Sequence, residues 1–207
     1  QLRADLATSG RTITAEAVQY PAAPVPLDGG LRGWLGFLGS VGDGTKATAA
    51  QLKAFTAKCP DTKVVLAGYS QGAMIVHRNL YDLADNPQVV AALLIADGDR
   101  LPVDTTVNMG SAAAASGVGM GVAQEHSLLA SANTSKLPAT IGARTVSVCD
   151  VGDPVCDYDP DTTEVSPAEI AIHTSYAPAA SGSHAWTPKL YDIVMSTDAP
   201  ATTVALS

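Results

Sequence analysis

Ser70 stands between two glycines in Gly68-Tyr69-Ser70-Gln71-Gly72, where the apolar run Val64–Ala67 ends and a second apolar run begins at Ala73. A core strand has no need of that punctuation. A nucleophile does: a tight turn between strand and helix pushes the hydroxyl out above a sheet, and small flanking residues let the two backbones approach. The N-terminus of the following helix turns free N–H groups and positive dipole toward any negative charge that develops there. The backbone N–H of Gln71 is the natural oxyanion donor. The pattern alone matches often by chance, so its weight comes from the strand before it and the helix after it.

A serine hydroxyl needs a base, most often a histidine held by a carboxylate. Four histidines compete: His77, His126, His173 and His184. His77 lies seven residues into the helix that Ser70 starts, about 10 Å along its axis, too far to take the proton. It shares a face with Ala73, Leu80 and Ala84, which suits a half-buried structural histidine. His126 sits in a Gly- and Ala-rich stretch ahead of the best acid. His173 and His184 remain. The acid candidate is Asp153 in Cys149-Asp-Val-Gly-Asp-Pro-Val-Cys156. C-x6-C with one remote cysteine is not zinc spacing, whereas a local Cys149–Cys156 disulfide would pin a short loop and its carboxylate. Such a disulfide implies an oxidising compartment.

These groups need a scaffold. The spacing predicts a helix tail over Leu2–Leu6 that stops near Ser9-Gly10, and a strand with Ile13, Ala15 and Ala17 in alternation, ended by Pro21. Residues 22–45 read as a Gly- and Pro-rich loop, residues 45–57 as a helix, and residues 71–84 as another. Lys63–Gly68, Val89–Ala96 and Ala143–Cys149 read as buried strands. Residues 105–142 read as a long excursion with little regular structure. Residues 187–195 read as a terminal helix. Apolar strands alternating with helices predict a three-layer α/β/α sandwich with a central parallel sheet, and one domain over residues 1–207.

The motifs GYSQGA, C-x3-D-x2-C and H-x2-Y, with VQYPA and KCPDTKVVLAG before them, resemble the cutinase family of secreted serine esterases, an α/β-hydrolase branch. The likeness runs over essentially the whole chain. It implies Ser70 as nucleophile, Asp153 as orienting acid, His173 as base, and no cofactor or metal. It also implies a first strand and an oxyanion loop upstream of Gln1, with a cysteine that pairs with Cys59. Four strands read here against the family's five agree with that expectation. A long acidic loop from Cys156 to His173, and IADGDR after the Val89–Ala96 strand, point toward the actinobacterial cutinase-like branch. The expected substrate is a carboxylic ester of a lipid or polyester. Phospholipid, thioester or acetylated polysaccharide with the same three residues is an alternative. So is an inactive fold that binds lipid or protein.

Composition narrows the rest. A net charge of −8 with scattered basic residues argues against nucleic acid. The apolar run Val89–Ala96 falls far short of the ~20 residues of a membrane helix. No signal peptide opens the sequence, which is expected to be a mature or trimmed chain, extracellular or envelope-bound and monomeric. Asp157, Asp159, Asp161 and Glu164 resemble a calcium loop but lack its glycine and closing glutamate, so a solvated loop is expected. Trp34, Phe37 and Tyr69 are candidates for a substrate groove, with ordinary core packing as the alternative for the first two. Asn133-Thr-Ser is a glycosylation sequon.

Overall fold

The computed structural model describes residues 1–24, 31–125, 135–162, 164–179, 181–197 and 202–206, with residues 31–34 and 202–206 described by their backbone. Strands β1 (Thr12–Glu16), β2 (Lys63–Tyr69), β3 (Val89–Ile95), β4 (Val107–Met109), β5 (Thr145–Val148) and β6 (Thr202–Leu206) lie in the order β1-β6-β2-β3-β5-β4 among the described residues. Every pairing is parallel. The helices are α1 (Leu2–Thr8), α2 (Leu31–Lys58), α3 (Gln71–Leu80), α4 (Val122–Glu125), α5 (Ala139–Gly142), α6 (Pro167–His173) and α7 (Trp186–Ser196).

Side chains alternate across the central strands and build two cores. On one face Val64, Leu66, Ala92 and Leu94 pack with Leu52 of α2 and Ala73, Val76 and Leu80 of α3. On the other, Val65, Ala91, Leu93, Val146 and Val148 pack with Leu6 of α1 and Leu190, Ile193 and Val194 of α7. Burial on both faces explains why Val64–Ala67 of β2 and all of β3 are apolar. This is the α/β architecture expected from the sequence.

Four local expectations need correction. Helix α2 begins at Leu31, not at Thr45. Glycines normally weaken a helix, yet Phe37, Val41, Gly44, Thr48 and Leu52 recur at helical spacing and are all buried. At Gly44 a Cβ would come 2.3 Å from the Ile75 side chain, so this glycine sets the close packing of α2 on α3. Helix α3 ends at Leu80 rather than Ala84, because Asp82 and Leu83 bond three residues back instead of four. The excursion over residues 105–142 contributes a short edge strand, β4. The C-terminal residues form β6, inserted between β1 and β2.

The C-terminal ends of β2, β3 and β5 all point to one edge of the sheet. Chemistry in open parallel sheets gathers at that edge. Ser70 follows β2 and the Cys149–Cys156 loop follows β5.

Candidate active site

Ser70 sits at the β2–α3 junction with φ 55° and ψ −120°, a backbone conformation that costs a non-glycine residue about 1–3 kcal/mol. Its N–H donates to the Ile95 carbonyl of β3 at 2.8 Å, which ties the turn to the neighbouring strand. The two glycines have different jobs. A Cβ on Gly68 would come 2.2 Å from the Gly72 carbonyl oxygen and 2.6 Å from the Ala73 nitrogen, so only glycine fits. A Cβ on Gly72 would meet nothing within 4 Å, so close packing does not require glycine there. Gln71 opens α3, where first-turn N–H groups lack intrahelical partners. Its side chain accepts from the Tyr20 hydroxyl at 3.0 Å and donates to the Ala23 carbonyl at 3.1 Å, anchoring the segment after β1 beside the serine.

His173 is the last residue of α6. That helix starts with a capping box: Ser166 accepts from the Glu169 N–H, and the Glu169 carboxylate accepts from the Ser166 N–H. At its other end His173 turns Nε2 to 3.0 Å from Ser70 Oγ. Its Nδ1 lies 2.9 Å from Asp153 Oδ2 and 3.1 Å from Oδ1. An ionised carboxylate only accepts, so Nδ1 carries the proton and Nε2 presents its lone pair to the serine. Tyr69 supports the imidazole twice. Its hydroxyl donates to the His173 carbonyl at 2.6 Å, and its ring lies 5.1 Å from the imidazole.

Asp153 is fully buried. Its Oδ1 accepts from the N–H groups of Val155 at 2.7 Å and Cys156 at 3.1 Å. Its Oδ2 accepts from the Tyr176 hydroxyl at 2.7 Å. The Cys149–Cys156 disulfide closes the loop that carries it. Donors on both oxygens are what allows a carboxylate to stay charged while buried.

The other candidates lie elsewhere. His184 places Nε2 2.7 Å from Asp150, not on Ser70. His77 is fully buried, not half-buried: Nδ1 lies 2.5 Å from Asp97 Oδ2, and Nε2 faces Asp104 Oδ2 at 3.8 Å. Beside it Arg78 forms a two-pronged pair with buried Asp99. The IADGDR segment is therefore a buried charge cluster behind α3. His126 and the Asn133 sequon lie outside the described residues, as does the Trp34 side chain. Phe37 is a correction: it packs into the core with Val41, Met74 and Ile75 rather than bordering a groove. Cys59 has no disulfide partner among the described residues. The Asp159 carboxylate holds its own turn, accepting from Asp161 N–H and the Thr162 hydroxyl.

A cavity of about 550 Å³ opens at Ser70, lined by Val18, Tyr20, Leu66, Tyr69, Leu93 and Ile95 among others. Its walls are mostly apolar. Tyr69 is among the lining residues. Tyr20 and Tyr176 fall within the VQYPA and H-x2-Y motifs, but the motifs assign them no chemical role, and periodicity predicts no helix over α6. The capping pattern Ser166-Pro-Ala-Glu169 was the signal for that helix. Those motifs mark the two tyrosines but do not say what their hydroxyls meet.

A family model described as Cutinase matches residues 2–187. The chain is 33% identical over 152 residues to "Acetylxylan esterase 2" of Talaromyces purpureogenus, covering 69% of this chain and 61% of that relative. It is 31% identical over 147 residues to "Acetylxylan esterase" of Hypocrea jecorina, covering 69% of this chain and 47% of the relative. It is 27% identical over 155 residues to "Probable carboxylesterase Culp3" of Mycobacterium tuberculosis, covering 73% and 47%. The chain thus spans between about half and three fifths of the length of these curated relatives. Among solved structures, the catalytic core domain of acetyl xylan esterase from Trichoderma reesei superposes with a TM-score of 0.61 at 22% identity, over 95% of this chain and 88% of that one, a likeness of fold. No described helix is long and apolar enough to cross a membrane.

Proposed function

The chain belongs to the cutinase family, and on that premise we propose that it is a carboxylic ester hydrolase working through Ser70, His173 and Asp153. One observation carries the reading: a single imidazole has Nε2 at 3.0 Å from Ser70 Oγ and Nδ1 at 2.9 Å from Asp153 Oδ2. In this reading His173 Nε2 takes the serine proton as Oγ attacks the ester carbonyl. Asp153 balances the imidazolium that forms. The tetrahedral oxyanion rests on the Gln71 N–H at the head of α3. His173 returns the proton to the leaving alcohol, and an acyl-enzyme remains. Water, activated by the same Nε2, then releases the acid.

Ser70→Ala should reduce hydrolysis of p-nitrophenyl butyrate by at least about 10⁴-fold and abolish labelling by a fluorophosphonate probe. Turnover close to that of the unaltered protein would rule the mechanism out. A protein that neither labels nor hydrolyses before substitution would point to the inactive binding fold.

The apolar cavity beside Ser70 favours lipid or polyester esters with acyl chains longer than acetyl. The names of two relatives favour a second reading, an esterase of acetylated polysaccharide. A p-nitrophenyl ester panel separates them: a maximum beyond acetyl supports the first, while fastest acetyl turnover with acetate release from acetylated xylan supports the second. The disulfide suits a secreted or envelope-facing protein. All three reacting groups come from one chain, so the reading works for a monomer.

A further inference from the structure

We propose that Tyr176 is a positioning residue of this site, a fixed donor that holds the Asp153 carboxylate and sets how strongly it backs His173. The proposal rests on the esterase reading above and concerns a residue that reading does not use. A tyrosine hydroxyl has one hydrogen and two lone pairs. The Asp150 N–H donates to the Tyr176 oxygen at 3.0 Å, occupying one lone pair. Cys156 Sγ lies 3.4 Å away, but it is bonded to Cys149 and has no hydrogen to give. The hydroxyl hydrogen therefore goes to the stronger and nearer acceptor, Asp153 Oδ2 at 2.7 Å.

The ring is held as firmly as the hydroxyl. It stacks on His184 with centroids 5.9 Å apart and meets Tyr69 edge-on at 6.5 Å. His184 is fixed by Asp150 at 2.7 Å, and the other oxygen of Asp150 accepts from the N–H of Ser111 at 2.8 Å and its hydroxyl at 3.1 Å. Asp150 thus pins Tyr176 from both ends, through its own N–H and through His184. Burial, and then the Asp153 charge, push the Tyr176 phenol above its ordinary value, so it remains a neutral donor wherever the enzyme works. Among the described residues, the titratable groups around it are Asp150, Asp153, His184, Tyr69 and buried Arg100.

The consequence is chemical. Asp153 Oδ2 is shared between Tyr176 and His173. Each donor on that oxygen draws on the same negative charge, so removing Tyr176's hydrogen strengthens the carboxylate's hold on an imidazolium while freeing it to turn. Tyr176→Phe should lower kcat about 10-fold, the lower end of what losing an outer-shell partner costs at metal sites, with KM little changed. The acid limb of the kcat/KM–pH profile should move up by about half a unit. Installing a singly fluorinated tyrosine at 176, a stronger donor with almost the same shape, should move that limb down. A merely structural ring would not move the limb in opposite directions. Unchanged kcat and pH profile in Tyr176→Phe, with Ser70→Ala inactive, would overturn the proposal and leave the esterase reading standing. Turnover surviving Ser70→Ala would overturn both. If Tyr176→Phe does not fold, the fluorinated protein decides alone, and an unmoved limb counts against the proposal.

Discussion

His173 and His77 each set Nδ1 against a carboxylate, Asp153 in one case and Asp97 in the other. What faces Nε2 separates them. His173 looks onto a hydroxyl with 16% of its side chain exposed; His77 looks onto a second carboxylate, Asp104, with 2% exposed. Among the described residues neither His77 Nε2 nor Asp104 Oδ2 has another partner. Burial alone would lower the His77 pKa, but Asp97 foremost, then Asp99 and Asp104, carry it above its ordinary value of 6.5. A raised folded value means stability that is present in full below 6.5 and lost as pH climbs through the higher folded value. Arg78 and Tyr81 are the other titratable groups beside it. The melting temperature should therefore fall as pH rises above 6.5. His77→Gln should cost about 3 kcal/mol at the acidic end, since it leaves Asp97 buried without its cation, and should flatten that part of the curve. Parallel pH curves for the two proteins would contradict the assignment.

Elements position these residues through a few close approaches. The β2–α3 turn depends on Gly68, where backbone meets backbone, and not on Gly72, where a Cβ finds open space. Urea unfolding should show the difference. Gly68→Ala should lose about 3 kcal/mol or fail to fold, because a 2.2 Å contact with a backbone oxygen has no flexible side chain to yield. Gly72→Ala should be neutral or gain up to about 1 kcal/mol, as alanine is the better helix residue. Equal losses at the two sites would refute this division of labour. The same motif thus holds one glycine that packing requires and one that it does not.

Among the described residues, β1 reaches the rest of the sheet through β6 alone: the order is β1-β6-β2, with β6 paired to Thr12–Glu16 on one side and Lys63–Leu66 on the other. The segment after β1 carries Tyr20 and Ala23, which hold the Gln71 side chain. The far C-terminus is therefore coupled to the head of α3. Deleting residues 202–207 should lower the melting temperature by several degrees, speed amide exchange over Thr12–Glu16 and reduce esterase activity. Unchanged exchange in β1 would show that this strand does not depend on β6.

Much of the fold and part of the site could be read from residues in order. Three buried strands, the helix after Ser70, the helix before Ser196 and the Cys149–Cys156 loop each declare themselves within a dozen residues, because periodicity, turn glycines and loop closure are short-range properties. Ser70 and Asp153 stood out for the same reason. Helix α2 was misread where five glycines masked the Phe37–Val41–Thr48–Leu52 stripe, and α6 where a capping box went unread. The choice between His173 and His184 was of another kind. The H-x2-Y motif favours His173 through the family resemblance, but nothing near either residue says what its Nε2 will face. That is fixed by how α6 docks against a serine 103 positions earlier in the chain. The same holds for Tyr176 on Asp153, Tyr20 on Gln71, and β6 between β1 and β2. Sequence alone determined which groups were chemically able; the packing of distant segments decided which of them meet, since hydrogen bonds act over about 3 Å and take no account of separation along the chain.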